Sequence, residues 1–160
     1  MNKRLRKPTE SPTILVVEAD PELRRYLRRC LASLPSPIPR ILEAEDLEQA
    51  ILLVQDGGID LVVGVLNGPG SGGSALCSAL GVGDRGQVPV VLLATGVSSV
   101  GEVRDVRSLA STTLLPGTPS ASRLCRTVSG ILAEQIKEPS RARPVKPTVA
   151  RRPSMRREEE

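Results

Sequence analysis

The chain has 160 residues, 39% hydrophobic and 25% charged, a balance that suits one globular domain of ordinary size with room for tails. No apolar run approaches the ~20 residues of a membrane-spanning helix, and the basic start runs into Pro8 and Pro12 rather than a signal peptide's apolar stretch, so neither membrane insertion nor export is expected. There is no histidine, which removes the usual zinc ligand, general base and phosphorelay carrier in one stroke.

The net charge of +4 is unevenly placed. Residues 1–10 hold Lys3, Arg4, Arg6 and Lys7 against Glu10. Residues 140–160 hold Arg141, Arg143, Lys146, Arg151, Arg152, Arg156 and Arg157 against Glu158, Glu159 and Glu160. The stretch between them is mildly acidic, so the pI of about 9.3 belongs to the ends. The three cysteines, Cys30, Cys77 and Cys125, are far apart, odd in number and form no CxxC pair. Reduced core thiols in a cytoplasmic protein are expected. Tyr26 is the one aromatic residue, so the core must be built from Leu, Val, Ile and Ala.

The middle of the chain predicts five strand–helix units. Residues 13–17 are apolar and β-branched, as a strand buried on both faces requires. Asp20-Pro21-Glu22 is a helix start, with an N-cap acid and proline at the first helical position. Leu23, Tyr26, Leu27, Cys30 and Leu31 then make one apolar face, and Arg24, Arg25, Arg28 and Arg29 lie largely on the other. After Pro35 and Pro37, residues 40–44 form the second strand. Asp46 caps a helix with Leu47, Ala50, Ile51 and Val54 inward, ended by Gly57-Gly58.

Residues 60–65 are the third strand, and residues 74–80 a short helix after a glycine-rich loop. Residues 88–94 are an almost continuous apolar run and the clearest strand. Ser99 to Glu102 fits a capping box, with Val103, Val106 and Ala110 along its helix. Residues 112–115 are a weak fifth strand, and Thr118-Pro119 opens a last helix with Leu124, Val128, Ile131 and Leu132 inward. After Glu138 the periodicity stops, and the Pro-, Arg- and Ser-rich remainder is expected to be disordered. The expected organisation is a basic arm over 1–11, a domain over 12–138 and a tail over 139–160. Strands alternating with helices through short loops imply a parallel sheet covered on both sides, here a flavodoxin-like (βα)5 doubly wound fold of five strands. In such sheets ligands bind at the carboxyl ends of the strands.

Three segments, ILVVEADPELRRYL, DLVVGVLNGPGSGG and VPVVLLATG, occur in an order and spacing that resemble the receiver domain of two-component response regulators. The resemblance covers residues 13–133. It implies a phosphoacceptor aspartate at the end of the third strand, but that position is Val65. The acidic pair that binds magnesium falls on Glu18 and Ala19, so one acid is lost. Asn67 takes the position that lends a backbone carbonyl to the metal. The switch hydroxyl position on the fourth strand is Ala94, with Thr95 beside it. The lysine position of the fifth strand is Leu115, before Pro116, and the aromatic switch position is Thr113. Nucleophile, cation and most of the metal site are missing together, so neither metal nor other cofactor is expected and no enzyme activity.

The resemblance therefore implies a degenerate pseudo-receiver that works by protein–protein interaction. Receivers present the surface of the fourth helix, fifth strand and fifth helix to signalling partners, which here includes Glu102, Arg104, Asp105, Arg107, Arg123 and Arg126. Two rival readings come from other classes. The basic residues from Arg141 to Arg157 can neutralise phosphates on nucleic acid or another anionic surface, weakly and without sequence preference because no aromatic is there to stack. The loop Gly68-Pro69-Gly70-Ser71-Gly72-Gly73 has GxGxxG spacing and could cradle a nucleotide's phosphates, although Pro69 removes an amide donor. Glu18 and Asp20 as an acid–base couple, and Ser71 or Ser74 as nucleophiles, are weaker: Asp20 reads as a cap, and the serines have no histidine partner.

Overall fold

The computed structural model describes residues 6–7, 9–66, 88–95 and 112–136. The glycine-rich loop, the short helix and Cys77 after it, the capping box at Ser99 with its helix, and the C-terminal tail lie outside the described residues.

Five strands form one parallel sheet: β1 (Thr13–Val17), β2 (Arg40–Ala44), β3 (Leu61–Leu66), β4 (Val90–Ala94) and β5 (Thr112–Pro116). Their order is β2-β1-β3-β4-β5, all neighbours running parallel. This is the doubly wound order that the alternation of elements predicts.

The aliphatic runs alternate between two cores, because successive strand side chains point to opposite faces. On one face, Ile14, Val16, Leu61, Val63, Val65, Val91, Leu93 and Leu115 pack against α1 (Pro21–Ala32) and α3 (Ala121–Ala133) through Leu27, Leu31, Leu124 and Val128. On the other, Leu15, Val62, Val90 and Leu92 pack against Ala50 of α2 (Leu47–Gln55), with Leu47, Leu53 and Val54 partly buried around them. Burying each Leu, Ile or Val is worth about 1.5–3 kcal/mol. The near absence of aromatics is met by aliphatic packing on both faces.

The helix starts follow their capping residues. Asp20 accepts from the Glu22 amide at 3.0 Å, and Asp46 from the Gln49 amide at 2.8 Å. Leu52 on α2 is 62% exposed, so the inward stripe is narrower than the helix is apolar. The chain leaves α2 through Gly57 and Gly58, at φ of 88° and 85°, where a Cβ would be strained. One start differs from expectation. The last helix begins at Ala121, not at Thr118-Pro119, because the Ser120 hydroxyl reaches the Arg123 amide at 3.2 Å and leaves Pro119 outside.

Arg6, part of the expected basic arm, is packed into the domain and only 2% exposed. Its amide donates to Gln135 O at 2.8 Å, and its guanidinium to Leu132 O and Glu10 O, each at 3.0 Å. The carbonyls at the end of a helix attract cations, and this one is held in place by burial. Gln135, also buried, donates through Nε2 to Asp60 O at 2.8 Å, while the Asp60 carboxylate accepts the Thr13 amide at 2.8 Å. These contacts join the amino end of the sheet to the end of α3.

Candidate functional site at the carboxyl end of the sheet

The register brings the carboxyl ends of neighbouring strands together. Val65 on β3 lies opposite Leu93 on β4, which lies opposite Leu115 on β5. One step further, Leu66, Ala94 and Pro116 are aligned. Val65 is 9% exposed and Leu115 6%, and both belong to the apolar cluster against α1 and α3. The positions of nucleophile and cation in the sequence reading are therefore filled by packed hydrocarbon. Ala94 is half-buried at the last position of β4, and Thr95, whose hydroxyl a one-residue slip would bring in, lies beyond the paired strand. Thr113, half-buried and opposite Val91, shares the face of Leu115, while Thr112 turns to the other face.

The β1 side is polar but internally satisfied. Glu18 Oε2 accepts the Asp20 amide at 2.8 Å, and Asp20 Oδ1 is taken by the Glu22 amide. The two carboxylates thus fix the turn from β1 into α1. They face backbone donors, not each other, which leaves little for an acid–base couple to work with.

Arg24 of α1 folds back over this turn. Its Nη1 donates to Glu18 O at 2.7 Å and reaches Ala19 O at 3.5 Å. Its Nε pairs with Glu43 at 2.9 Å, and its Nη2 lies 3.8 Å from Glu45. Arg28, one helical turn on, also donates to Glu43. The Arg28 hydrogen bond holds the Glu43 carboxyl below its ordinary range; partial burial opposes this, and Arg24 adds to the lowering. The sequence places both arginines on the polar side of α1 but gives no sign of their partner, because Glu43 comes from a different unit and pairs with them only through the β1–β2 register.

Magnesium, which the receiver resemblance implies, does not fit this donor set. It takes oxygen ligands in near-octahedral geometry, usually from carboxylates. Glu18 is engaged by a backbone amide, its neighbour is the methyl group of Ala19, Val65 offers no oxygen, and the Arg24 guanidinium already occupies the carbonyls of the turn. Among the described residues no group of three His, Cys, Asp or Glu side chains comes together. Asn67 lies outside the described residues.

Of the expected partner surface, Arg123 and Arg126 are placed, both exposed on α3. Glu102, Arg104, Asp105 and Arg107 lie outside the described residues, as do Gly68 to Gly73 and Arg141 to Arg157. Cys30 is buried and Cys125 half-buried between α1 and α3, where the Cys125 thiol donates to Cys30 O at 3.0 Å. Among the described residues no helix is long and apolar enough to cross a membrane.

Neither a scan of protein-family models nor a search of curated proteins finds a match. Solved structures do match. The signal receiver domain of an HD domain-containing protein from Pseudomonas fluorescens superposes with a TM-score of 0.68 at 21% identity, covering 82% of this chain and 93% of that one. The fold is that of receiver domains. The signal receiver domain of a signal transduction histidine kinase from Syntrophus aciditrophicus gives 0.65 at 21% identity, over 88% of this chain and 99% of that one. The chemotaxis response regulator CheY4 of Vibrio cholerae gives 0.63 at 18% identity, over 77% and 100%. The receiver fold thus spans nearly the full length of these domains, and Val65, Ala94 and Leu115 stand at the carboxyl ends of its third, fourth and fifth strands.

Proposed function

We propose that the chain is a pseudo-receiver: a response-regulator-like signalling module that binds partner proteins without being phosphorylated and catalyses nothing. The observation that carries this reading is Val65, packed at 9% exposure in the apolar cluster at the end of β3. An isopropyl group has no lone pair to attack phosphorus. Phosphoryl transfer depends on positioning and charge neutralisation, and Leu115 and Ala19 supply neither cation nor metal ligand. With no phosphoryl group to move them, Ala94, Thr113 and Leu115 hold one arrangement, and partner binding is constitutive. The α3 side of the domain, with Arg123 and Arg126, belongs to the docking surface, in the cytoplasm.

The test is exposure of the full chain to magnesium with acetyl phosphate or beryllofluoride, followed by amide NMR and intact mass. Unchanged shifts and unchanged mass are expected. Saturable shifts around Glu18 and Val65, or an acid-labile phosphoryl adduct within residues 13–133, would overturn the reading.

A further inference from the structure

α1 and α3 meet at two free thiols, Cys30 and Cys125. Cys30 is 4% exposed inside the apolar cluster, whereas Cys125 is half-buried and packs against the same cluster from its rim. The Cys125 thiol donates to Cys30 O at 3.0 Å. A carbonyl oxygen lies about 2.4 Å from the Cα of its own residue, which puts Cys125 Sγ within about 5.4 Å of Cys30 Cα. Both side chains thus start from one gap between the helices. The fold does not need this hydrogen bond. Cys30 O already accepts the Ser33 hydroxyl at 2.7 Å and the Ser33 amide at 3.2 Å, which engages both lone pairs of the carbonyl. Cys125 is a third donor on an oxygen that two donors satisfy.

We propose that Cys30 and Cys125 are a peroxide-sensitive pair that closes, by rotation of the two side chains, into a disulfide joining α1 to α3. The unequal burial of the thiols divides the work. Redox-responsive cysteines are reached from solvent and stand next to a second, resolving thiol. Cys125 is the one solvent reaches, and Cys30 is the sheltered neighbour. The surroundings of Cys125 are electropositive, as those of reactive thiols are: Arg123 and Arg126 flank it on α3, and α3 carries no acid in its first turn. Hydrogen peroxide is the oxidant. The Cys125 sulfur attacks one peroxide oxygen, the O–O bond breaks, and the second oxygen leaves as water with the thiol proton. Cys125 is then a sulfenic acid. The Cys30 sulfur attacks the Cys125 sulfur, the S–O bond breaks, and the hydroxyl leaves as water with the Cys30 proton. Two thiols have lost two hydrogens, and one peroxide has become two waters. A dithiol reductant returns both thiols. The pair lies in the helical layer and not at the carboxyl ends of the strands, so this inference stands or falls apart from the phosphorylation reading.

The experiment is exposure of the full chain to hydrogen peroxide, capture of remaining thiols with an alkylating reagent, and tryptic mapping without reductant. The expected product is the peptide from Cys30 to Arg40 joined to the peptide from Leu124 to Arg126, within a monomeric chain. Dithiothreitol should separate the two peptides, and Cys77→Ser should give the same product. The oxidised chain should melt about 5–10 °C above the reduced one, because the bond closes a long loop in the unfolded state. Cys125→Ser should lose that rise while its reduced form melts like the parent, since Ser33 keeps Cys30 O satisfied. Any of four results overturns the proposal: Cys125 advancing to the sulfinic acid with Cys30 still alkylated, a crosslink that contains Cys77, a disulfide between two chains, or Cys125 left unoxidised.

Discussion

Val65 puts two methyl groups where the resemblance implies a carboxylate, and its neighbours suit it: Leu93 lies opposite and Leu115 one strand further, in one apolar cluster. Restoring the acid alone should therefore harm the fold without restoring chemistry. Val65→Asp is expected to cost about 2–4 kcal/mol in urea denaturation, because a carboxyl enters the apolar cluster that the described residues make around it. Desolvation raises its folded-state pKa above the unfolded value, so the variant keeps its stability at low pH and loses it as pH rises through the folded pKa. The gap to the parent chain should therefore widen as pH rises from about 4 to about 8. No phosphoryl adduct should appear, since Leu115 and Ala19 remain. A variant as stable as the parent, or one that takes up phosphate, contradicts this account. At this scale the sequence is most legible where a position is defined by what it lacks: the isopropyl at Val65, the methyl at Ala19. It is silent on Arg24, whose lid over the Glu18 and Ala19 carbonyls depends on a partner in the next strand.

Among the elements, strands and capped helices are readable because each answers to a short-range rule. Val90 to Leu93 alternates between the two cores, and Asp20 and Asp46 lie where an N-cap should. The start of α3 is harder to read, since Thr118-Pro119 and Ser120 compete as caps and the hydroxyl geometry decides. What no period encodes is how α1 meets α3. Tyr26 donates from α1 to Pro119 O at 2.9 Å. The hydrogen bond with Cys30, then burial, raises the phenol above its ordinary pKa of 10.0. As the one aromatic side chain of this sequence, Tyr26 can be titrated alone by ultraviolet difference absorbance. Its midpoint should lie above that of free tyrosine and fall back toward it in Cys30→Ala. Because the folded-state value is raised, the associated stability is present below the unfolded pKa and lost as pH climbs through the folded one. An unshifted midpoint in the parent chain would mean that Cys30, on the same helix, does not act on the phenol.

For the whole molecule, the order β2-β1-β3-β4-β5 follows from alternation and short loops, and the fold matches solved receiver domains over most of their length. The closure at the other end of the sheet is not legible, because a single bridge between Arg6 and Ile136 leaves no pattern in the sequence. It is nonetheless a strong contact. Arg6→Ala removes donors from Leu132 O and Glu10 O in a nearly water-free place and is expected to cost about 2–3 kcal/mol. Hydrogen exchange should rise most in the last turn of α3. Parent-like stability and exchange would mean that the segment is merely resting on the domain.

That bridge also makes neighbours of two points 130 positions apart along the chain, Arg6 and Ile136. Whatever is joined upstream of one and downstream of the other starts within a few ångströms of the same spot. Two weak ligands tethered there would meet a common target at millimolar effective concentration, so avidity rather than single-site strength sets how long they stay.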